Sequence, residues 1–443
     1  MLREELPQRL RTLRLLYGST EPRGFSRTVN RNRLPAWVNR GIDRLADSPM
    51  SPLGHLAARR LGRPAPVGTV PATEFSSAPV RVLIAPVNYS GQGTAWARAL
   101  EAADPEISAR NMAIEVPGGF SFKADLVVPV GTYHNDTDWQ RRQFAAAASA
   151  THVLIEAEEP PFGRLFGRSV QRQAAALQDH GVNIAYLAHG TDARLPSRHI
   201  AGNPLSYYAD EAVYLPRAEQ LAARNIKLVT ESGRPAFVST PDLLVDLPHA
   251  RWCPVVVDQA RWAAPERSDR PVGTPLRVVH APSVAAYKGT AMVLPILEKL
   301  QAEGLIEFRL IQGVPSAEMP GVFATADVML DQFRAGSYGV AACEAMAAGC
   351  LAVGQVSAQV RDAVRSASGL DLPLFEADPE SIEDVLRGLA ALPSLATHAA
   401  RGIDFVHHVH DGRMAAQALR EHWLAAPETL SDDRKDPIGA PSR

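Results

Sequence analysis

The sequence predicts an α/β protein with two doubly wound parallel sheets, and three observations carry that reading. Short apolar runs of strand length alternate with helix-length segments from residue 80 onward. The alternation pauses at a proline-bearing stretch around Pro254, Pro265, Pro271 and Pro275 and then restarts. The runs are continuously apolar, as strands covered by helices on both faces should be. At 443 residues, with 46% hydrophobic and 21% charged side chains, the chain is long enough for two such cores and an extension.

Residues 1–79 read as a basic, partly helical N-terminal extension. Residues 1–63 hold 13 arginines against five acidic side chains, although the whole chain carries a net charge of only −2. Leu2, Leu6, Leu10, Leu13 and Leu16 recur at helical spacing, with Arg3, Arg9, Arg11 and Arg14 mostly off that stripe. Such a helix can lay its leucines into the headgroup boundary of an anionic membrane while the arginines pair with phosphate. The competing expectation is a helix packed on the protein's own surface, favoured by Pro7 and by the brevity of the stripe. Nucleic acid is not an expected partner, because the basic stretch lacks interleaved aromatic residues.

The first α/β domain is expected over 80–250. Strands are predicted at Val80 to Pro86, Leu126 to Val130, His152 to Ile155, Asn183 to Ala188, Lys227 to Thr230 and Ala236 to Ser239, with a helix from Thr94 to Ala103. The second domain is expected over 251–425. Its strands are predicted at Leu276 to Ala281, Phe308 to Gln312, Asp327 to Asp331 and Leu351 to Gln355, and its helices at Thr290 to Glu303, Val340 to Ala348, Pro379 to Ala391 and Asp411 to Leu424. Residues 426–443 read as a frayed polar tail.

Cys253, Cys343 and Cys350 are too few and too scattered for a disulfide framework, so a reducing compartment is expected. No run approaches the ~20 apolar residues of a membrane span, and the first residues lack the apolar core of a secretory signal, so a cytoplasmic address is expected, with the inner membrane face as an option.

Chemistry in open α/β sheets gathers beyond the carboxyl ends of the strands, where glycines admit phosphate and helix N-termini offer free N–H groups. Three segments have that character. Asn88 to Thr94 carries Gly91 and Gly93 in a strand-to-helix turn. His280-Ala281-Pro282-Ser283 is followed by Lys288-Gly289-Thr290, where Lys288 can place a point charge on a departing diphosphate. Gly336-Ser337-Tyr338-Gly339 leads into Cys343-Glu344-Ala345-Met346-Ala347-Ala348-Gly349, where the Glu344 carboxylate can accept two ribose hydroxyls. The run His407-His408-Val409-His410 has no sequence-adjacent partners at metal-ligand spacing, and no metal site is expected.

Residues 326–354 and 279–289 together resemble the retaining GT-B glycosyltransferases of the group 1, family 4-like kind. Thr240 to Leu243 and Trp252 to Asp258 are similar to that family's interdomain linker, so the likeness spans roughly 80–425. It implies two Rossmann-like domains facing across a cleft, the first holding the acceptor and the second a nucleotide-sugar donor. It implies that Ser283, Lys288, Gly289, Ser337, Tyr338, Gly339 and Glu344 line the donor site, and that His189, followed by Gly190-Thr191-Asp192-Ala193-Arg194, lies by the transferred sugar, while the turn glycines Gly91 and Gly93 can bring their amides toward a diphosphate or an acceptor. The expected reaction is metal-independent hexosyl transfer with retention, using the nucleotide sugar as substrate and no cofactor, to a glycan, lipid-linked or small-molecule acceptor. The chain departs from the family at Gly336, where many members have glutamate, and between His280 and Tyr287, where a frequent arginine is missing. Those departures keep open a catalytically degenerate scaffold that binds nucleotide sugar or glycan, and a sugar-nucleotide epimerase on the same two-domain plan is a separate alternative.

Overall fold

A computed structural model describes residues 30–115, 122–263 and 273–425. The first sheet has seven parallel strands: β1 (Val80–Ala85), β2 (Ile107–Glu115), β3 (Leu126–Pro129), β4 (His152–Glu156), β5 (Asn183–Ala188), β6 (Ala236–Val238) and β7 (Arg251–Trp252). Their spatial order is β3-β2-β1-β4-β5-β6-β7. The second sheet has five parallel strands: β8 (Leu276–His280), β9 (Ile306–Leu310), β10 (Val328–Leu330), β11 (Leu351–Gly354) and β12 (Phe375–Glu376), in the order β12-β11-β10-β8-β9. Both orders reverse direction once, so each sheet has one switch point, between β1 and β4 in the first and between β8 and β10 in the second. The two doubly wound α/β domains expected from the sequence are present.

Two elements differ from expectation. The run Lys227 to Thr230 is not a strand; it lies inside the helix Leu215–Ser232. Ala222, Asn225, Leu228 and Val229 are its buried residues, so the apolar run continues a helical stripe instead of crossing a sheet. Strand β2, absent from the sequence reading, runs through Ser108, Arg110 and Asn111. Asn111 is fully buried yet satisfied: its amide N–H donates to Asp125 Oδ2 (2.8 Å), its Nδ2 to Ile84 O (3.0 Å), and Thr94 Oγ1 donates to its Oδ1 (3.1 Å). The expected strand at Phe308 to Gln312 begins two residues earlier, at Ile306.

The extension contributes helices Ala36–Asp47 and Pro52–Leu61. The leucine stripe of residues 2–16 and the tail 426–443 lie outside the described residues. Helix Arg413–Leu419, continued by a π-helical turn Arg420–Leu424, packs Leu419 and Trp423 against Val82, Ile84, Trp96 and Leu100 of the first domain. One apolar cluster runs from β1 and β5 through Val255, Val257 and Trp262 to Val279, Tyr338 and Met346, binding both domains into one core. All three cysteines are buried free thiols. Among the described residues no helix is long and apolar enough to cross a membrane.

Candidate functional site

The donor-side candidates meet at the second switch point. Strand β8 ends at His280, whose ring is fully buried. Its Nδ1–H donates to Leu330 O on β10 (2.8 Å), so its Nε2 is left to accept from Thr290 Oγ1 (2.8 Å). Burial lowers the imidazole to about 4, which keeps it neutral and makes it a pin between the two strands and the helix Thr290–Ala302.

Lys288 ends the turn Ala285–Lys288 and reaches across to β10, where Nζ donates to Asp331 Oδ1 at 2.6 Å. The other oxygen of Asp331 accepts from the Gly339 N–H at 3.0 Å, at the cap of the helix Val340–Ala347. A cation and a helix N-terminus are thereby held on one buried carboxylate. A Cβ on Gly339 would sit 3.7 Å from the ammonium, so the glycine leaves Lys288 close to backbone. Gly289 has φ +76°, and a Cβ there would press on Phe333 and Arg334 at 3.2 and 3.1 Å.

Glu344 follows on the same helix, half-buried and with no hydrogen-bond partner among the described residues. Burial raises its carboxyl to about 8, against a modest opposing pull from Arg261. Ser283 is exposed on the loop. Tyr338 is buried, its hydroxyl donating to His410 Nε2 (3.2 Å), while His410 Nδ1–H donates to Val255 O (2.8 Å). The Tyr338 ring therefore faces the linker, and His410 is a strut of that linker, also lowered to about 4 by burial. The Ser337 hydroxyl is buried beside Asp242. Asp242 is ion-paired with Arg194 at 2.5 Å; burial works against its ionisation, but the guanidinium outweighs it and holds the carboxyl below its usual range.

The acceptor-side candidates meet at the first switch point. Gly91 (φ +77°) caps the helix Gln92–Ala103, and Gly93 lets that helix press on the sheet. A Cβ on Gly93 would lie 2.4 Å from Asn111 Nδ2 and 3.2 Å from Glu156 Oε1, so no side chain fits. Glu156 closes β4 and is fully buried; its Oε2 accepts from the Val87 and Asn88 N–H groups, both at 3.3 Å. Its Oε1 lies 3.2 Å from His189 Nε2. The His189 ring stands edge-on to Tyr89 (5.1 Å) and near Trp96 (5.6 Å), and Asp192 fixes its loop by accepting from the His189 and Gly190 N–H groups at 2.8 and 2.5 Å. Just beyond, Ala157 and Glu158 hold φ of +53° and +52°, and burial with the neighbouring Asp192 carboxylate raises Glu158 well above the carboxylate range.

The two switch points share one interdomain seam. Arg334 donates to Asp210 Oδ2 (2.7 Å), Leu205 O (3.1 Å), Ser206 O (3.1 Å) and Ala286 O (3.0 Å), joining the loop after β10 to the first domain and to the turn Ala285–Lys288. Asn203 Nδ2 donates to Arg334 O (2.9 Å) and His199 Nε2 to Ala335 O (3.1 Å), while the Tyr207 and Tyr287 rings stack at 4.9 Å. Gly336 adopts φ +67°, so a glutamate there would strain the backbone, although Asn203 Nδ2 at 3.5 Å from where a Cβ would stand leaves room for ordinary contact.

Sequence reasoning did not single out Glu156, Asp331, Asp242 or Arg334. Asp331 and Glu156 were findable as acidic residues ending apolar strand runs beside a switch point; Arg334 and Asp242 act across the seam, which no local pattern reveals. Among the described residues, no group of three His, Cys, Asp or Glu side chains is placed to hold a metal ion.

No family model matches the chain, and no curated protein does. Among solved structures it is similar to a sucrose-phosphate synthase from Thermosynechococcus elongatus, at 11% identity over 77% of this chain and 98% of that one (TM-score 0.48). It is similar also to WaaG, a glycosyltransferase involved in lipopolysaccharide biosynthesis, at 13% identity over 77% and 99% (TM-score 0.47). A UDP-N-acetylglucosamine 2-epimerase aligns at 12% identity over 82% and 99% (TM-score 0.39). Likeness at this level assigns no activity.

Proposed function

We propose that the chain is a glycosyltransferase of the GT-B type, moving a hexosyl unit from a nucleotide sugar to a glycan, lipid-linked or small-molecule acceptor, without a metal and with retention. The observation that carries the reading is the Lys288–Asp331–Gly339 arrangement at the β8/β10 switch point, five residues before the unpartnered carboxyl of Glu344. Cleaving a glycosyl–phosphate bond builds negative charge on the leaving diphosphate, and a pre-placed ammonium beside helix N–H groups answers that charge. Glu344 supplies acceptor oxygens for ribose hydroxyls, which would relieve its present lack of partners. Across the seam His189, braced by Glu156, borders the place for the transferred sugar. Retention rests on the resemblance of residues 279–289 and 326–354 alone.

The scaffold alternative draws on Gly336 and on Lys288 being already ion-paired. A radiolabelled donor panel separates the readings: transfer to an acceptor, lost in Lys288→Ala, supports the proposal. Isomerised donor without acceptor makes the chain an epimerase, and donor binding without turnover makes it a scaffold. Residues 1–60 are proposed to hold the protein at an anionic surface on the cytoplasmic side. Their deletion should weaken co-sedimentation with anionic vesicles, and unchanged sedimentation would refute that role.

A further inference from the structure

Glu156 ends β4 and His189 follows β5, the neighbouring strand, so the sheet brings a carboxylate and an imidazole together at its carboxyl edge. Glu156 Oε1 lies 3.2 Å from His189 Nε2, and Glu156 Oε2 accepts from the Val87 and Asn88 N–H groups. The carboxylate is thus an acceptor on both oxygens, so the ring proton of His189 sits on Nε2 and Nδ1 keeps a lone pair. We propose that Glu156 is a positioning residue that fixes His189 in this tautomer, and that His189 Nδ1 is the general base that takes the proton of an acceptor hydroxyl. The proposal rests on the glycosyl-transfer reading and adds to it how the acceptor is activated.

The ring is held against rotation as well as against tautomer exchange. Trp96 lies beside it at 5.6 Å with the two planes 31° apart, and the Trp96 Nε1–H is itself tied to Pro254 O at 2.9 Å. Tyr89 meets the ring edge-on from the other loop. The backbone that carries the ring is bonded on both sides, its N–H to Asp192 Oδ2 (2.8 Å) and its carbonyl to Ser239 Oγ (3.3 Å). Gly93 leaves the space in which Glu156 Oε1 turns toward the ring, since a Cβ there would lie 3.2 Å from that oxygen. His189 Nδ1 has no hydrogen-bond partner among the described residues, and the side chain keeps 9% of its surface exposed. An imidazole oriented from behind by a carboxylate, with its far nitrogen open, is arranged to act as a directed base.

The other ionisable groups at this edge are less able to take a proton. Asp192 spends Oδ2 on the His189 N–H and Oδ1 on the Gly190 N–H. Glu159 is engaged by Arg168 at 3.5 Å. Both oxygens of Glu158 are sealed from solvent, and burial with the Asp192 carboxylate raises that carboxyl well above its usual range. Burial, then the carboxylates of Glu159, Asp192, Glu156 and Glu158, push the Tyr89 hydroxyl above its ordinary value, so Tyr89 keeps its proton. His189 remains as the base. In the transfer step the acceptor oxygen bonds to the anomeric carbon, the anomeric carbon–oxygen bond to the diphosphate breaks with its electron pair leaving on the diphosphate, and the hydroxyl proton goes to Nδ1. Either face of attack leaves that same proton to be removed, and the acceptor class is an alcohol or sugar hydroxyl.

The test is Glu156→Gln in the full chain. The amide oxygen of the variant can still accept from the Val87 and Asn88 N–H groups, but its NH₂ then faces His189 Nε2, which must become an acceptor and send the ring proton to Nδ1. Nitrogen-15 NMR of histidine-labelled protein, with His189→Gln identifying the signal, should show the Nε2–H tautomer in the parent and the Nδ1–H tautomer in the variant. Turnover is read with radiolabelled nucleotide sugars, beginning with UDP-glucose, and simple glycosides as acceptors. The expected kcat falls about a hundredfold or more while the melting temperature and the thermal shift given by the donor are kept. A parent in the Nδ1–H form, a reversed tautomer with kcat unmoved, or a loss of kcat without reversal overturns the proposal. Should Glu156→Gln lower the melting temperature, His189→Ala with added imidazole decides: restored turnover supports the base, and none overturns it. Transfer that ignores the tautomer defeats the base alone, whereas no transfer from any donor defeats the glycosyl-transfer reading and the base with it.

Discussion

Glu344 and Gly93 show how a single residue can be set for a partner or a contact at a cost to the free protein. The Glu344 carboxyl titrates near 8 in the folded chain and near 4.5 when unfolded, so between those values folding has to take up a proton that the unfolded chain has released. Glu344→Gln removes that opposition and should stabilise the ligand-free protein by about 1 kcal/mol in urea unfolding at pH 7.5 while nucleotide binding falls. A less stable variant would mean the carboxyl is not strained in the free state. Gly93→Ala should do the reverse, costing about 1–3 kcal/mol in the same assay, because its methyl must displace Asn111 or Glu156. Both residues stood out in the sequence, Glu344 through its motif and Gly93 through its turn. The reason for Gly93 did not, because Asn111 lies on a strand whose polar residues hid it.

At the scale of elements, the pins between strands decide which pieces of the site hold together. His152, His280 and His410 are each depressed to about 4, chiefly by burial. Their folded values lie below the unfolded 6.5, so stability is fully present above 6.5 and is lost as pH falls toward 4. Each contributes a slope of up to about 1.4 kcal/mol per pH unit in that window. Urea midpoints measured from pH 7 to 5 should therefore fall steeply, and His152→Phe should flatten the fall by up to about 1.4 kcal/mol per pH unit; an unchanged profile would contradict a neutral buried imidazole. Most strands were legible as apolar runs, and both sheets followed from their alternation with helices. Beyond reach were β2, whose Ser108 and Asn111 are buried because they are bonded, and Lys227 to Thr230, where four residues of strand-like composition sit on a helical stripe. Nor did the pattern of residues 413–424 say which sheet its apolar face would meet.

At the scale of the molecule, the seam between the domains determines access to the candidate site. Arg334 alone makes four hydrogen bonds, three of them to the first domain. Arg334→Ala should loosen that seam, and small-angle scattering should record a larger radius of gyration for the free variant, brought back toward the parent by saturating nucleotide. An unchanged radius would place the closure elsewhere, in the shared apolar core around Val255, Val257 and Trp262. The sequence announced two domains and a linker, but not that the linker is held by His410, Gln92 and Trp96, which reach it from opposite ends of the chain.

In the proposed function the β8/β10 switch point receives a nucleotide sugar through Lys288 and Glu344. A thermal-shift titration of the full chain against nucleotides and nucleotide sugars tests it most directly, since a ligand bound only by the folded state raises the melting temperature. The expected result is a rise with one donor class that disappears in both Lys288→Ala and Glu344→Ala. No rise with any nucleotide, or a rise that persists in both variants, would contradict it.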